Sequence, residues 1–202
     1  MNENSTFQDL LPAVQAVIGY GERNVNSDRV KRAVKMGKRR VVCRVNTPDK
    51  TPAMYIHYIF PKKGILTRPF VIVDGAEGEA FVTASKDPDT GKFFLTVIHS
   101  HAINRYIERR QFHGTLAEAQ QRIIDGIAVN TSAEDKLNET GYLYFDGGTF
   151  LCNFKNGVQH IRTFVMNRQL YPAQRMKSLT SEKETAQLKR EVGYKEPTKY
   201  KE

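Results

Sequence analysis

At Ile98 a strand-like run passes directly into a helical one, and this junction restricts the fold more than any other stretch of the chain. Phe93-Phe94-Leu95-Thr96-Val97-Ile98 has the aromatic and β-branched content of a buried strand. From residue 101 the apolar positions recur at helical spacing instead, with Ile103, Tyr106 and Ile107 on one side. At about 100° per residue, His101, Arg105, Glu108, Arg109 and Phe112 share the other side of a helix over 101–113. A core-facing stripe thus anchors a helix whose outer face offers an imidazole and two guanidinium groups.

The flanking segments predict how that helix is held. Upstream, residues 41–45, 53–60, 70–73, 80–83 and 93–98 read as strands. Pro48 and Pro52, the turn Pro61-Lys62-Lys63-Gly64, the pairs Asp74-Gly75 and Glu77-Gly78, and the loop 87–91 separate them, which makes an antiparallel meander. His57, alone in an aromatic strand, reads as a hydrogen-bonded structural residue. Downstream, Thr115 and Glu118 have the spacing of a capping box and open a second helix over 116–128, with Leu116, Ala119, Ile123, Ile124 and Ile127 as its buried stripe and 130–132 as its end. Residues 131–140 read as a loop or one helical turn. A second meander follows at 142–145, 149–154 and 158–165, whose Asn156-Gly157 is a strong two-residue hairpin signal. That loop sets Phe154 opposite Gln159, Cys152 opposite Ile161 and Phe150 opposite Thr163. Asn153, Leu151 and Thr149 then face His160, Arg162 and Phe164, so His160 and Arg162 share a face with Asn153.

At the N-terminus, Phe7, Leu10, Leu11, Val14, Val17 and Ile18 make a docking helix over 5–18, with Ser5 as its cap and Gly19 and Gly21 as its stop. Residues 173–202 carry eight basic and five acidic residues. They predict a charged tail, with a surface helix near the capping-box spacing of Ser181 and Glu184, a stripe of Leu188 and Val192 before Gly193, and a disordered end over 197–202. The expected class is α+β: one domain over 1–172, in which a first antiparallel meander, a helical pair and a second meander follow the N-terminal helices, with the tail outside it. The pairing between the two β regions is left open.

Charge points to the partner. Lys and Arg number 31 against 22 Asp and Glu, a formal charge of +9, which suits a polyanion such as RNA or an acidic protein. Between Glu22 and Arg40 the basic residues Arg23, Arg29, Lys31, Arg32, Lys35, Lys38, Arg39 and Arg40 outnumber the acidic Glu22 and Asp28. Capped by Ser27 or Asp28, a short helix there would place Val30, Ala33 and Val34 on one side and cations on the other, a form suited to a phosphate backbone or to a solvated face. Arg29, Lys31, Arg32, Lys35, Lys38, Arg39 and Arg40 are the candidate nucleic-acid contacts. The two cysteines, Cys43 and Cys152, stand in apolar runs and fit a reducing, cytoplasmic setting without a disulfide framework. No basic-then-apolar leader and no membrane-length apolar run are present.

Several chemistries lack their residues. There is no Gly-rich phosphate loop, no Gly-x-Ser-x-Gly, no His-Glu-x-x-His and no close pair of cysteines. His99 and His101 diverge once the helix begins and have no acidic cluster beside them, so neither a metal nor another cofactor is expected. What remains is a metal-free set of His101, Arg105, Arg109, His160, Arg162 and Thr163. Transesterification by an RNA 2′-hydroxyl needs a base, an acid and cations around phosphorus, and histidine and arginine supply these near neutral pH. The plainer reading pairs Arg105 with Glu108, and Arg109 with a neighbouring acid, on a solvated face.

The pattern His101-x-x-x-Arg105-x-x-Glu108-Arg109, followed by a short helix and a meander ending in Ile161-Arg162-Thr163-Phe164-Val165, resembles the small nuclease toxins of the barnase, EndoU, colicin and RelE-like group over about residues 97–168. The resemblance implies metal-independent action on RNA, with His101 and Arg105 in the site on the helix and Arg162 and Thr163 on the last strand. The chain departs from those compact toxins by carrying helix and sheet ahead of the motif. The expectation is therefore a metal-independent endoribonuclease-like protein. The alternatives are a nucleic-acid-binding protein without activity and an accessory protein for an acidic partner.

Overall fold

A computed structural model describes residues 1–24, 28–60, 64–86, 91–127, 133–135 and 140–192. The chain is α+β, and both meanders belong to one sheet. Strands β1 (Arg40–Asn46), β2 (Pro52–Phe60), β3 (Gly64–Gly75), β4 (Gly78–Lys86) and β5 (Phe93–Ile98) pair antiparallel in sequence order. After helices α3 (Ser100–Arg110) and α4 (Leu116–Ile127) come β6 (Ala133–Asp135), β7 (Thr140–Phe145), β8 (Gly148–Lys155) and β9 (Val158–Met166). The strand order is β1-β2-β3-β4-β5-β9-β8-β7-β6. The seam between the meanders is the parallel pair β5 and β9, aligned from Leu95 with Val158 to Ile98 with Ile161. A parallel pair needs a long crossover, and the connection through α3, α4 and the strands β6 to β8 provides it.

Alternation along the strands builds two cores. Met54, Ile56, Phe70, Phe81, Ile98, Ile161 and Phe164 face α3 and α4, whose Ala102, Ile103, Tyr106, Ala119, Ile123 and Ile124 are buried against them. On the other face, Tyr55, Val71, Val82, Leu95, Val97 and Val158 meet Leu10, Val14 and Val17 of helix α1 (Phe7–Asn24). Helix α2 (Asp28–Lys35) seats Val30 and Ala33 on the edge near Val41 and Ile59, leaving Val34 exposed. No helix among the described residues is long and apolar enough to cross a membrane.

The sequence expectations are corrected at several places. The first helix does not stop at Gly19 or Gly21, because Gly21 lies under the Tyr55 ring, where a Cβ would come within 2.4 Å of it, and the Tyr55 hydroxyl donates to the Val17 carbonyl at 2.6 Å. Its cap is a reciprocal pair, Asp9 N–H to Thr6 Oγ1 at 3.3 Å and Thr6 N–H to Asp9 Oδ2 at 3.0 Å, in place of Ser5. The expected Thr115–Glu118 box is present, with Glu118 N–H donating to Thr115 Oγ1 at 3.2 Å and Thr115 N–H to Glu118 Oε2 at 2.9 Å, but Leu116 is exposed. Helix α3 ends at Arg110 with Gln111 in the left-handed region, so Phe112 leaves the helix and folds back on Tyr106 at a ring distance of 5.9 Å. Residues 64–69 extend β3, and 133–135 form β6 where a loop or a helical turn was expected. A Ser27 cap, the turn residues 61–63 and 87–90, and the segments 128–132, 136–139 and 193–202 lie outside the described residues.

Residues 173–192 of the tail are part of the fold. Helix α5 (Pro172–Val192) docks through Ser178, Ser181 and Thr185, all buried, rather than through Leu188. Ser181 is not a cap: its Oγ accepts the Tyr144 N–H at 2.9 Å. In the β8–β9 hairpin, Asn156 and Gly157 both take positive φ, as a mirror-image turn requires. The expected pairs hold from Phe154–Gln159 to Cys152–Ile161, and a bulge then takes up one residue. Leu151 consequently meets Thr163, Phe150 meets Phe164 and Thr149 meets Val165, while Arg162 stands out of the ladder and is exposed.

Gly126 in α4 gives a first prediction. A Cβ there would lie 1.9 Å from Cε2 of the buried Phe145. Gly126→Ala gains about 1 kcal/mol of helix propensity but overpacks the core at a cost of about 1–3 kcal/mol. A lower urea midpoint at unchanged slope is expected, and a raised midpoint would contradict it.

Candidate functional site

The site is built where β5 ends and α3 begins. Extended backbone at His99 continues the alternation of β5, so its side chain emerges on the face of Leu95 and Val97, as does His160 two residues after Val158. His99 N–H donates to the Ile161 carbonyl at 3.0 Å, which sets the two histidines side by side. His99 Nε2 and His160 Nδ1 are 3.0 Å apart, and His99 Nδ1 is 3.4 Å from Glu3 Oε2. The Glu3 carboxylate is buried and fixed: Oε1 accepts from Ala76 N–H at 3.0 Å, and Oε2 from Ser100 N–H at 2.9 Å and Ser100 Oγ at 3.1 Å. Its own N–H donates to the Asp74 carbonyl at 2.9 Å, which docks the N-terminal segment on β3.

With hydrogen on His99 Nδ1, toward the Glu3 carboxylate, His99 Nε2 accepts and His160 Nδ1 donates; the reverse tautomers exchange these roles. His160 Nε2 has no partner among the described residues, and His160 is buried, with 6% of its surface exposed. Burial, helped by the charges of His99, Arg162 and Lys155, pushes the His160 imidazole down to about 4, so it is neutral near pH 7. Burial also lowers His99 against the pull of Glu3. For Glu3, burial acts upward, but the amides of Ala76 and Ser100 together with His99 leave it below the ordinary carboxyl range.

The helix face is occupied differently. His101 Nδ1 lies 2.7 Å from Glu77 Oε1, and its other nitrogen accepts from Arg105 Nε at 3.3 Å. Arg105 also donates to Glu108 at 2.6 Å, the plainer pairing foreseen for this face. Asn104 and then His101 hydrogen-bond to Glu77 and hold its carboxyl low. Arg109 is spent on the Phe164 carbonyl. The six candidate catalytic residues therefore do not form one constellation. Helix α3 packs on the Ile161 and Phe164 side of β9, whereas His160 faces the Val158 side with Arg162, whose Nε donates to Asn153 Oδ1 at 3.1 Å. Thr163 is half-buried beyond the bulge. On this face α1 covers β3 and β4, and α5 covers β7 and β6, leaving His160, Arg162 and Asn153 on the strip between the helices.

No family model, curated protein or solved structure matches the chain. The site therefore rests on its own geometry. His99 is visible in the sequence only as a neighbour of His101, and Glu3 only as part of a polar N-terminus; the two are brought together across 96 positions by Ser100, which bonds Glu3 directly. His57 is structural, buried with Nδ1 2.9 Å from Thr67 Oγ1. Both cysteines are free, and burial pushes the Cys152 thiol up to about 12.

In the basic segment, Arg29, Lys31, Arg32, Lys35, Lys38 and Arg39 are exposed, and none of the six is held in an ion pair among the described residues. Arg40 is a correction. As the first residue of β1 it faces α4, where it pairs with Asp125, and its side chain is 13% exposed. The Arg23 side chain lies outside the described residues.

Proposed function

We propose that the chain binds RNA through α2 and the turn after it. The observation that carries this reading is the set of six exposed, unpaired cations from Arg29 to Arg39 on one short stretch, with Val30 and Ala33 pinning the helix so that the charges project together. Backbone phosphates release counterions when such a surface meets them, with a salt slope of about −0.7 per contact for a single strand. Anisotropy titrations of single-stranded RNA between 50 and 200 mM salt should give a steep slope, and Lys31→Glu with Lys35→Glu should weaken binding at least tenfold and flatten it. A slope near zero, or an unchanged affinity in the double variant, would refute the reading. Preferential capture of an acidic protein with no RNA affinity would favour the accessory alternative.

A second reading, metal-independent endoribonuclease action, is favoured by one observation: His160, whose Nε2 has no partner among the described residues, shares a face of β9 with Arg162. In the carry-over from the small nuclease toxins the helix residues His101 and Arg105 would act, yet both are engaged with Glu77 and Glu108. The strand side supports the activity better than the helix side does.

A further inference from the structure

We propose that Arg68 is the centre of a binding site for a small carboxylic acid with an apolar body, set in the fork where strands β3 and β4 part. The site lies on the opposite face of the sheet from α2 and is independent of the RNA surface there.

The fork follows from one residue. The ladder between β3 and β4 runs from Gly75 with Gly78 to Val71 with Val82 and goes no further. Two positions before Val71 stands Pro69, which has no N–H to give to a neighbouring strand. Its carbonyl accepts from the Thr83 hydroxyl at 2.8 Å instead. Beyond that point β3 stays on β2 as far as Gly64, and β4 stays on β5 as far as Lys86, so the sheet divides. Arg68 pairs with Ile56 just inside the opening. Alternation places Thr83, Ser85 and Phe94 on the same face as Arg68, that of Phe70 and Phe81. The helical layer ends there, since exposure rises from 1% at Phe70 to 37% at Leu66, and Phe94 is 50% exposed.

The guanidinium is what points to a ligand. Arg68 Nε is buried with no hydrogen-bond partner, and the side chain makes no ion pair among the described residues. The other partly buried arginines all reach an acceptor: Arg40 on Asp125, Arg105 on Glu108, Arg109 on the Phe164 carbonyl, and Arg110 and Arg122 on Asp146. Few buried N–H groups in native proteins stay unpaired, because each loses its hydration and gains nothing in return. Nε and the adjacent Nη form the edge of a guanidinium that takes both oxygens of a carboxylate. The charge matches as well. Leu66, Arg68, Thr83, Ser85 and Phe94 together carry one positive charge, which balances a carboxylate, whereas a phosphate monoester carries about −1.5 to −2. Leu66, next to Arg68 on this face of β3, and Phe94, across β4, offer exposed apolar surface to an aliphatic or aromatic body, and the exposed Ser85 pairs with Phe94 between them.

The test uses the full chain with acetate, hexanoate, phenylacetate, hexanamide and phenyl phosphate as probes. The Arg68 Nε–H resonance is identified in nitrogen–proton correlation spectra as the one that Arg68→Lys removes. Hexanoate and phenylacetate at millimolar concentration should shift it and raise the melting temperature, acetate should bind more weakly, and hexanamide should not bind. Arg68→Lys keeps the charge but lacks the planar fork, and should weaken hexanoate by about tenfold or more, while Arg68→Met should abolish binding. Arg68→Met also separates a ligand site from a structural cation. With no acid added, its urea midpoint should equal or exceed that of the wild-type chain, because the unpaired N–H is gone and an apolar stem remains. A lower midpoint would show that the guanidinium serves the fold itself and would overturn the proposal. So would an unmoved Nε–H resonance with both hexanoate and phenylacetate, binding retained by Arg68→Met, equal affinity for hexanamide, or tighter binding of phenyl phosphate than of phenylacetate.

Discussion

Asp125→Ala is expected to destabilise the fold by about 3–5 kcal/mol, the range found when one partner of a buried ion pair is removed. Asp125 lies in α4 with only 2% of its surface exposed and pairs with Arg40, while the Tyr58 hydroxyl lies 3.4 Å from both its carbonyl and its Oδ1. Truncation would remove the carboxylate that answers a mostly buried guanidinium under α4. For a domain of this size the loss corresponds to roughly 10 °C in Tm. The double variant Arg40→Met with Asp125→Leu should recover most of that, because an apolar pair of similar volume avoids the desolvation that the ions suffer. Urea unfolding of the three proteins decides the matter. If Asp125→Ala lay within 1 kcal/mol of wild type, Arg40 would have to be solvated after all. A second readout separates Arg40 from its neighbours: Arg40→Met with Asp125→Leu should bind RNA as the wild-type chain does, unlike the charge reversals at Lys31 and Lys35.

That contrast shows what the sequence can and cannot reveal. Arg39 and Arg40 are identical as letters, and the difference lies in strand parity: Val42 faces the α4 core, so Arg40 does too, opposite Tyr58 in the ladder. Composition, period and turn residues identified the strands other than β6 and the start of β3, and period identified the α3 stripe, because burial on one face leaves apolar residues at fixed intervals. It missed the docking face of α5, since Ser178, Ser181 and Thr185 are hydroxyl residues whose small size and hydrogen bonds, rather than apolarity, seat the helix. It missed the β5–β9 seam for another reason. Strand pairing across the crossover is non-local, and nothing in either strand marks its partner. The bulge at Arg162 also leaves no trace, because a one-residue excess changes which side chain is exposed without changing any local propensity. Of the candidate site, the face shared by Asn153, His160 and Arg162 was legible from the hairpin turn. Its partners His99 and Glu3 were not, since they reach it from the end of another strand and from the chain's first residues. Asp146 joins distant elements in the same way, accepting from the Tyr106 hydroxyl at 2.7 Å, from Arg110 Nε at 3.2 Å and from Arg122 at 3.0 Å, and so ties α3 and α4 to the β7–β8 turn.

The same buried cluster fixes how stability responds to acid. His160 is held near 4 in the folded chain against about 6.5 when unfolded, so between those values the unfolded state binds a proton that the native state refuses. Stability is therefore fully present above about pH 6.5 and falls as the pH drops toward 4, and His99, lowered by burial, pulls the same way. Glu3 adds to the decline, because its lowered carboxyl gives stability that is present above the ordinary carboxylate range and disappears once it is protonated. For His160 alone the linkage amounts to about 2 kcal/mol between pH 7.5 and 5, or roughly 4–8 °C in Tm. His160→Gln keeps a polar group at the site but cannot titrate, so its melting temperature should fall less over that interval than that of the wild-type chain. His57, also lowered by burial, remains in both proteins, and the difference between them isolates His160. Parallel curves for the two would mean that His160 is as easily protonated in the folded chain as in the unfolded one.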